Sequence, residues 1–398
     1  LPYIVAEYIR VIGDEGILDE KTPFLENLPL EKGKHVRYEV ANHTQYAESI
    51  YEHCRRAIES ALVFGEHGLP LMGTGDWNDA MDSVGDEGKG ESVWLGWFLY
   101  DVLVKMADLA QKRGDAALVG RYSSLAGQLR ENIEKHAWDG SWYIRAFDDK
   151  GRKLGSSANL EECRIDAVSQ AWASLSDAAN IARVNEALES AKMLLYNKES
   201  ATFSLLTPPF KGAEFEPGYI AAYLPGVREN GGQYTHAVVW MIMALAKQNK
   251  NDDAWELLDC VNPVMHTLSE QLVMRYKTEP YAIPADIYTV PPNEGRGGWT
   301  WYTGSAAWLY KCVLESLIGF KLRGDTLSFE PHLPSNCNGV EIDYRYKDST
   351  LYKITIYNAG ANKVKAVYLD GKQAENNIKL VDDHVEHRVK VMLEAKQV

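Results

Sequence analysis

Between Gly73 and Ser92 the chain sets Asp76, Trp77, Asn78 and Asp79 among glycines, then runs directly into a long apolar stretch. Two carboxylates, an amide and an indole in one short loop suit a sugar site. There, rings stack on aromatic faces and a carboxylic acid reaches the glycosidic oxygen. An acid in that role should be partly desolvated so that it keeps its proton near neutrality, a condition either Asp76 or Asp79 could meet beside Trp77. An Asx-rich turn capping a helix would use the same residue types without any chemistry.

Two later clusters have a similar character. Arg228-Glu229-Asn230-Gly231-Gly232-Gln233-Tyr234-Thr235-His236 breaks structure with glycines just before a helical pattern and puts His236 in its first turn. A cationic or donor histidine beside free helix N–H groups can hold an anion; a capping box with a surface histidine would read the same way. The run Gly295-Arg296-Gly297-Gly298-Trp299-Thr300-Trp301-Tyr302-Thr303-Gly304-Ser305-Ala306 could cradle phosphate without the Gly-Lys-Ser/Thr of a P-loop. Arg275, Tyr276, Glu279, Tyr281 and Asp286 in the preceding loop are second-rank candidates. Arg164, Asp166, Gln170 and Trp172 lie on another helical stretch, where Asp166 and Gln170 share a face and either line a pocket or pair internally. No His or Cys spacing resembles a metal cluster, so no metal is expected.

The elements that must position these residues are mostly helical. Amphipathic patterns run over 50–62, 93–109, 118–136, 165–176, 179–196, 232–247, 252–261 and 300–317, separated by irregular segments at 70–90, 205–230 and 276–299. Loops that long are expected where they build an active face on a helical scaffold, and paired helices in a toroid fit that pattern as well as an irregular bundle does. Near residue 320 the period switches to two: after the Arg323-Gly324-Asp325 turn, strands are expected around 327–329, 340–346, 351–356, 364–368 and 385–390. Asp370-Gly371 predicts a hairpin turn. The expected organisation is therefore a helical domain over 1–320 and a small β-sandwich over 321–398.

Composition narrows the function classes. A net charge of -14 without any basic run argues against nucleic acid. The load of 11 Trp and 22 Tyr suits carbohydrate or a set of aromatic helix contacts. Five widely spaced cysteines form no disulfide framework and fit a reducing compartment. No stretch approaches ~18 consecutive apolar residues and no basic-then-apolar leader opens the chain, so a cytoplasmic segment without membrane contact is expected.

Taken jointly, the clusters resemble an inverting glycoside phosphorylase family, glycoside hydrolase family 94, which contains cellobiose, chitobiose and cellodextrin phosphorylases. Its Asp-Trp-Asn-Asp, Gly-Glu-Ser-Val-Trp, Asn-Gly-Gly-Gln-Tyr-Thr-His and Gly-Gly-Trp-Thr-Trp-Tyr-Thr-Gly-Ser-Ala signatures occur here in order, at 76–79, 90–94, 230–236 and 297–306. The wording of 66–79 and 163–172 is similar to that of β-1,2-oligoglucan phosphorylases and of the phosphorylase-like region of cyclic β-1,2-glucan synthases. The resemblance implies an (α/α)6 toroid followed by a small β-sandwich domain. It implies Asp79 as general acid, His236, Thr303 and Gly304 as phosphate contacts, and Trp77 and Glu229 as contacts to the donor sugar. Asp76 and Gln233 join the sugar-binding side, Asp76 with the task of orientation and pKa support. The implied substrates are a β-gluco-oligosaccharide, most similar to β-1,2-glucan, and inorganic phosphate. Phosphate is itself the nucleophile, and no cofactor is implied.

The same family carries an N-terminal β-sandwich, a linker and the first toroid helices, with an Arg-Asp element that contributes to the site, and this sequence starts after them. The expectation is a toroid lacking its first helices, completed by a homodimer or a partner chain, with little phosphorolysis by residues 1–398 alone. Three rival readings predict different observations. A trimming domain of a cyclic glucan synthase predicts upstream membrane and glycosyltransferase segments. A hydrolase predicts turnover without phosphate, and a sugar-binding remnant predicts binding without turnover.

Overall fold

The computed structural model describes residues 1–29, 31, 37–347 and 349–395. Ten α-helices fall among them: α1 Pro2–Ile12, α2 Ile50–Ala61, α3 Val93–Lys112, α4 Ala116–His136, α5 Ala167–Leu175, α6 Ile181–Leu195, α7 Thr235–Lys247, α8 Asn251–Val261, α9 Glu270–Tyr276 and α10 Thr303–Lys311. Their ends follow local chemistry. Ser49, Ser92, Asp115, Asp166 and Asn180 each cap the helix that follows by accepting from a first-turn N–H. Pro2 opens α1, where its missing N–H costs nothing, and Gly13 closes it in the left-handed region.

The helices form two layers. α3, α5 and α7 each pack on the helix that follows, while α1, α3, α5, α7 and α10 pack on one another in chain order. The second set meets through aromatic rings. Phe98 lies 5.3 Å from both Trp94 and Trp172, Trp172 lies 5.3 Å from Trp240, and Trp240 lies 5.8 Å from Trp308. Tyr3 of α1 closes the group at 6.4 Å from Trp308. Offset-stacked and edge contacts at these separations add to simple area burial. Much of the aromatic content is therefore core.

Most expected helices are present with ends shifted by a few residues. The pattern at 300–317 divides into α10 and a single π-helical turn, Cys312–Leu317. An antiparallel pair, Lys21–Glu26 with Asn42–Ser49, was not foreseen, and neither was α9.

From Phe320 the chain is β. Phe320–Arg323, Thr326–Phe329 and Ile378–Lys379 form a three-stranded sheet, so one strand precedes the Gly324-Asp325 turn as well as following it. A five-stranded sheet runs in the order Gly339–Tyr346, Thr350–Tyr357, His387–Ala395, Gly360–Leu369, Lys372–Ala374. Its Thr350–Tyr357/His387–Ala395 pair is parallel and the others are antiparallel. Asp370 and Gly371 turn the expected hairpin with both φ angles positive, at 50° and 79°. The last strand begins at His387, leaving Val385 outside it. Leu327 and Phe329 of one sheet and Ile354, Ile356, Val389 and Val391 of the other share one core. That core is separate from the helical one, and half-buried Trp255 of α8 packs against both.

Candidate active site

The candidate residues cluster where helices begin. α3, α5 and α7 are each preceded by a two-residue strand: Glu91–Ser92, Ile165–Asp166 and Gln233–Tyr234. Ser92 and Asp166 cap α3 and α5 with their side chains. Among the described residues no side chain caps α7, which follows Tyr234, or α10, which follows Tyr302. Those two starts keep first-turn N–H groups free of side-chain acceptors, and the helix dipole favours negative charge there.

Asp76 and Asp79 have different fates. The Asp76 side chain is wholly buried and bound in a fork by Arg145, whose Nη1 and Nη2 donate to its two oxygens at 2.7 and 2.6 Å. Ser92 Oγ donates to it at 2.5 Å and the Asn78 N–H at 3.0 Å. Burial pushes this carboxyl up, but the Arg145 charge and these hydrogen bonds outweigh it and hold the group below the usual range. Arg145, itself wholly buried, also lies 3.5 Å from Asp166, whose carboxyl burial raises to about 6 against the opposing Arg145 charge.

Asp79, three residues on, is exposed. Gly75, at φ +122°, lets the loop fold back until the position of a Cβ would lie 3.0 Å from the Asp79 Cα, so the glycine serves the loop's own closure. Tyr219 faces Asp79. Burial, then the Asp79 charge and a side-chain hydrogen bond with it, raise the Tyr219 phenol above its usual range. The Tyr219 segment is docked here by backbone. Ile220 N–H donates to Ala80 C=O at 2.8 Å and Tyr219 N–H to Asp82 Oδ1 at 3.0 Å. Glu229 is buried beside Arg228, and its charge with that of Asp79 also raises Tyr223, after burial. The two carboxylates thus border one tyrosine pair.

His236 and Trp77 meet directly. Trp77 Nε1–H donates to His236 Nδ1 at 3.2 Å. An indole N–H can only donate, so Nδ1 accepts and the neutral ring carries its proton on Nε2. Burial pushes His236 down to about 4, so this neutral form holds near neutrality. Nε2 is buried and finds no hydrogen-bond partner among the described residues. The His236 ring lies 5.8 Å from Trp308 of α10, and Tyr234 Oη lies 3.1 Å from Tyr302 Oη. Thr303 and Gly304 are exposed at the uncapped start of α10, and Gly304 borders open space. The starts of α7 and α10 are thus linked through the Tyr234–Tyr302 pair, and the His236 ring reaches α10 at Trp308.

Residues 2–319 match the Glycosyl hydrolase 94 superfamily catalytic domain. This chain belongs to that family. It is 42% identical over 351 residues to a cyclic beta-(1,2)-glucan synthase of Rhizobium meliloti, spanning 88% of this chain and 12% of that one. It is 29% identical to a solabiose phosphorylase of Paenibacillus borealis, over 97% of this chain and 48% of the relative. A 1,2-beta-oligoglucan phosphorylase of Listeria innocua is 24% identical over 85% of this chain, which covers 32% of its length. The chain therefore spans less than half the length of these relatives.

Within this glycosyl hydrolase 94 domain two sugar-binding expectations need correction. Asp76 is consumed by Arg145 and Ser92 and has no face for a sugar. Gln233 is wholly buried and spans two backbones, accepting from Phe203 N–H and donating to Cys260 C=O, both at 2.7 Å. Of the lesser candidates, Gln170 pairs internally with the backbone of Tyr143 and Asp166, and Asp286 is buried, accepting from Arg228 N–H at 2.7 Å. Arg145 and Tyr219 were missed. An arginine inside the apolar run Trp142-Tyr143-Ile144-Arg145-Ala146-Phe147 was the available signal, because a buried guanidinium needs a carboxylate partner. Among the described residues no group of three or more His, Cys, Asp or Glu could hold a metal ion, and no helix is long and apolar enough to cross a membrane.

Proposed function

We propose that this chain carries the catalytic machinery of an inverting phosphorylase acting on β-linked gluco-oligosaccharides, with β-1,2-glucan as the favoured substrate. Asp79 protonates the glycosidic oxygen as phosphate attacks the anomeric carbon from the opposite face, giving α-glucose 1-phosphate and a shortened glucan. Phosphate fills the role that a base-activated water has in an inverting hydrolase, so one protein carboxylic acid suffices and no cofactor is needed. His236 Nε2–H, Thr303 and Gly304 hold the phosphate, and Trp77 and Glu229 border the donor sugar. In this reading the two-layered helices belong to an (α/α)6 toroid over 1–320, and 321–398 forms a β-sandwich domain.

The observation that carries the reading is the buried Nε2–H of His236, which finds no partner among the described residues while its ring lies 5.8 Å from Trp308 of α10, a helix whose start no described side chain caps. A buried donor without a protein acceptor is costly unless a ligand accepts from it. The linkage rests on the 42% identity to a cyclic beta-(1,2)-glucan synthase. That relative also favours a second reading, in which the domain trims chain length within such a synthase.

The test is to incubate the intact protein with β-1,2-, β-1,3- and β-1,4-glucans, with and without phosphate. Sugar 1-phosphate should form from β-1,2-glucan, and only when phosphate is supplied. Free glucose released at the same rate without phosphate would make the protein a hydrolase. Asp79→Asn should lower phosphorolysis by at least about 100-fold, the usual contribution of a positioned acid, with glucan binding retained. Unchanged turnover would remove Asp79 from its role.

A further inference from the structure

Two of the 11 tryptophans are exposed, and both sit in one loop: Trp299 at 72% and Trp301 at 65%. Tyr281, 75% exposed, lies 6.0 Å from the Trp301 ring. The rest of the molecule sends its indoles inward, so this face departs from the pattern.

The exposed rings continue a row that starts at Asp79. Tyr219 is docked against the Asp79 loop, its N–H donating to Asp82 Oδ1 at 3.0 Å and the Ile220 N–H to Ala80 C=O at 2.8 Å, and its ring lies 6.0 Å from Tyr223. The Arg228 guanidinium sits 5.2 Å above the Tyr223 ring and 5.9 Å from Trp299. Asp79, Tyr219, Tyr223, Arg228 and Trp299 therefore form an unbroken sequence of neighbours leading from the carboxylate to the exposed indole.

The row is held in place by a costly local arrangement. Arg228 and Trp301 occupy the left-handed region at φ 51° and 61°, conformations rare for long or bulky side chains. Asp286 fastens the two loops together, accepting from Arg228 N–H at 2.7 Å while packed against Gly298, where a Cβ would sit 2.1 Å from its Oδ1. Strained backbone that presents aromatic and guanidinium faces to solvent is a pattern found at ligand clamps.

We propose that the row Tyr219, Tyr223, Arg228 and Trp299 is a binding track for the leaving part of a glucan chain, two or more sugar units beyond the bond that is cleaved. The inference rests on the assignment of Asp79 as the acid. A general acid must touch the oxygen that departs with the leaving chain, so a surface continuous with Asp79 is where that chain lies. Flat faces with hydrogen-bonding edges, bridged by a guanidinium, match a β-linked glucan, which offers apolar ring faces and equatorial hydroxyls. Such a track selects for chain length.

The test measures the affinity of this chain for β-1,2-linked gluco-oligosaccharides, from disaccharide to hexasaccharide, by calorimetry without phosphate. The wild type should bind longer chains more tightly. Trp299→Ala and Tyr223→Ala should each cut the hexasaccharide-to-disaccharide affinity ratio by about 10-fold, with Trp299→Phe largely restoring it. A wild type without length dependence, or variants with an unchanged ratio, would overturn the track. Phosphorolysis by the intact protein separates this outcome from the assigned function. Sugar phosphate formed with an unchanged length ratio in the variants removes the track alone. Length-dependent binding that the variants abolish, without any sugar phosphate, keeps the track and removes the phosphorylase reading.

Discussion

Asp76 and Asp79 are the same residue type three positions apart, and the difference between them is made by an arginine 69 residues after the first. Arg145 takes both oxygens of Asp76 and leaves Asp79 to the tyrosine pair. Removing one partner of a buried ion pair strands the other charge, so Arg145→Met should destabilise the fold by about 3–5 kcal/mol in a denaturant titration. The double variant Arg145→Met/Asp76→Leu should recover much of that loss, since it strands only Asp166. His236 gives a pH test. Its folded value of about 4 lies below the ordinary 6.5, so its contribution to stability is intact above 6.5 and is lost as pH falls toward 4, where the unfolded chain takes up the proton first. His236→Asn should remove that part of the acid slope. The stability difference between wild type and variant, measured by denaturant titration, should stay constant above pH 6.5 and shrink below it. At this scale the sequence carried residue types but not partners. Trp77 and His236, candidates from separate sequence clusters, are in direct contact, whereas the Gln233 amide is taken up by the backbones of Phe203 and Cys260, which lie within its reach.

Helix starts position the candidate site residues. Ser92 accepts from Leu95 N–H at 3.0 Å to cap α3 and donates to Asp76, so one hydroxyl ties the helix to the Asp76–Asp79 loop. Ser92→Ala should cost about 1–2 kcal/mol in thermal or denaturant unfolding, the usual loss for a removed cap with a second hydrogen bond attached. Ser92→Thr keeps the hydroxyl and should recover most of it. An alanine variant as stable as wild type would show that the cap carries no load. The helices around these caps were readable because their apolar residues recur at the helical period and their caps are Ser, Asp or Asn. α9 was hidden by its length of seven residues, and the pair Lys21–Glu26/Asn42–Ser49 by its exposure, since neither strand carries the alternation that a buried face imposes.

Across the whole molecule the switch of hydrophobic period near residue 320 marks the change from helices to sheets, yet what joins the two cores has no periodic signature. Trp255 packs against both, and its Nε1–H donates to His332 C=O at 2.8 Å. Asn251, one turn earlier on α8, donates to Leu333 C=O at 2.9 Å, and on another side Gly324 N–H donates to Val11 C=O at 3.0 Å. The helical core is the larger, so the β region draws part of its stability from this seam. Trp255→Ala should cost about 2–3 kcal/mol, below the full loss for a buried tryptophan because Trp255 is only half-buried. It should also uncouple the cores, which the aromatic distribution makes measurable. All 11 tryptophans lie at or before residue 308, and Trp255 alone among them packs on the β core, so in Trp255→Ala indole fluorescence reports the helical region while calorimetry reports every transition. The wild type should unfold with fluorescence and heat absorption coincident. In Trp255→Ala a calorimetric transition should appear below the fluorescence midpoint as the β region melts first, whereas coincident signals at a lower temperature would mean that Asn251 and the Gly324–Val11 contact suffice to keep the two cores cooperative.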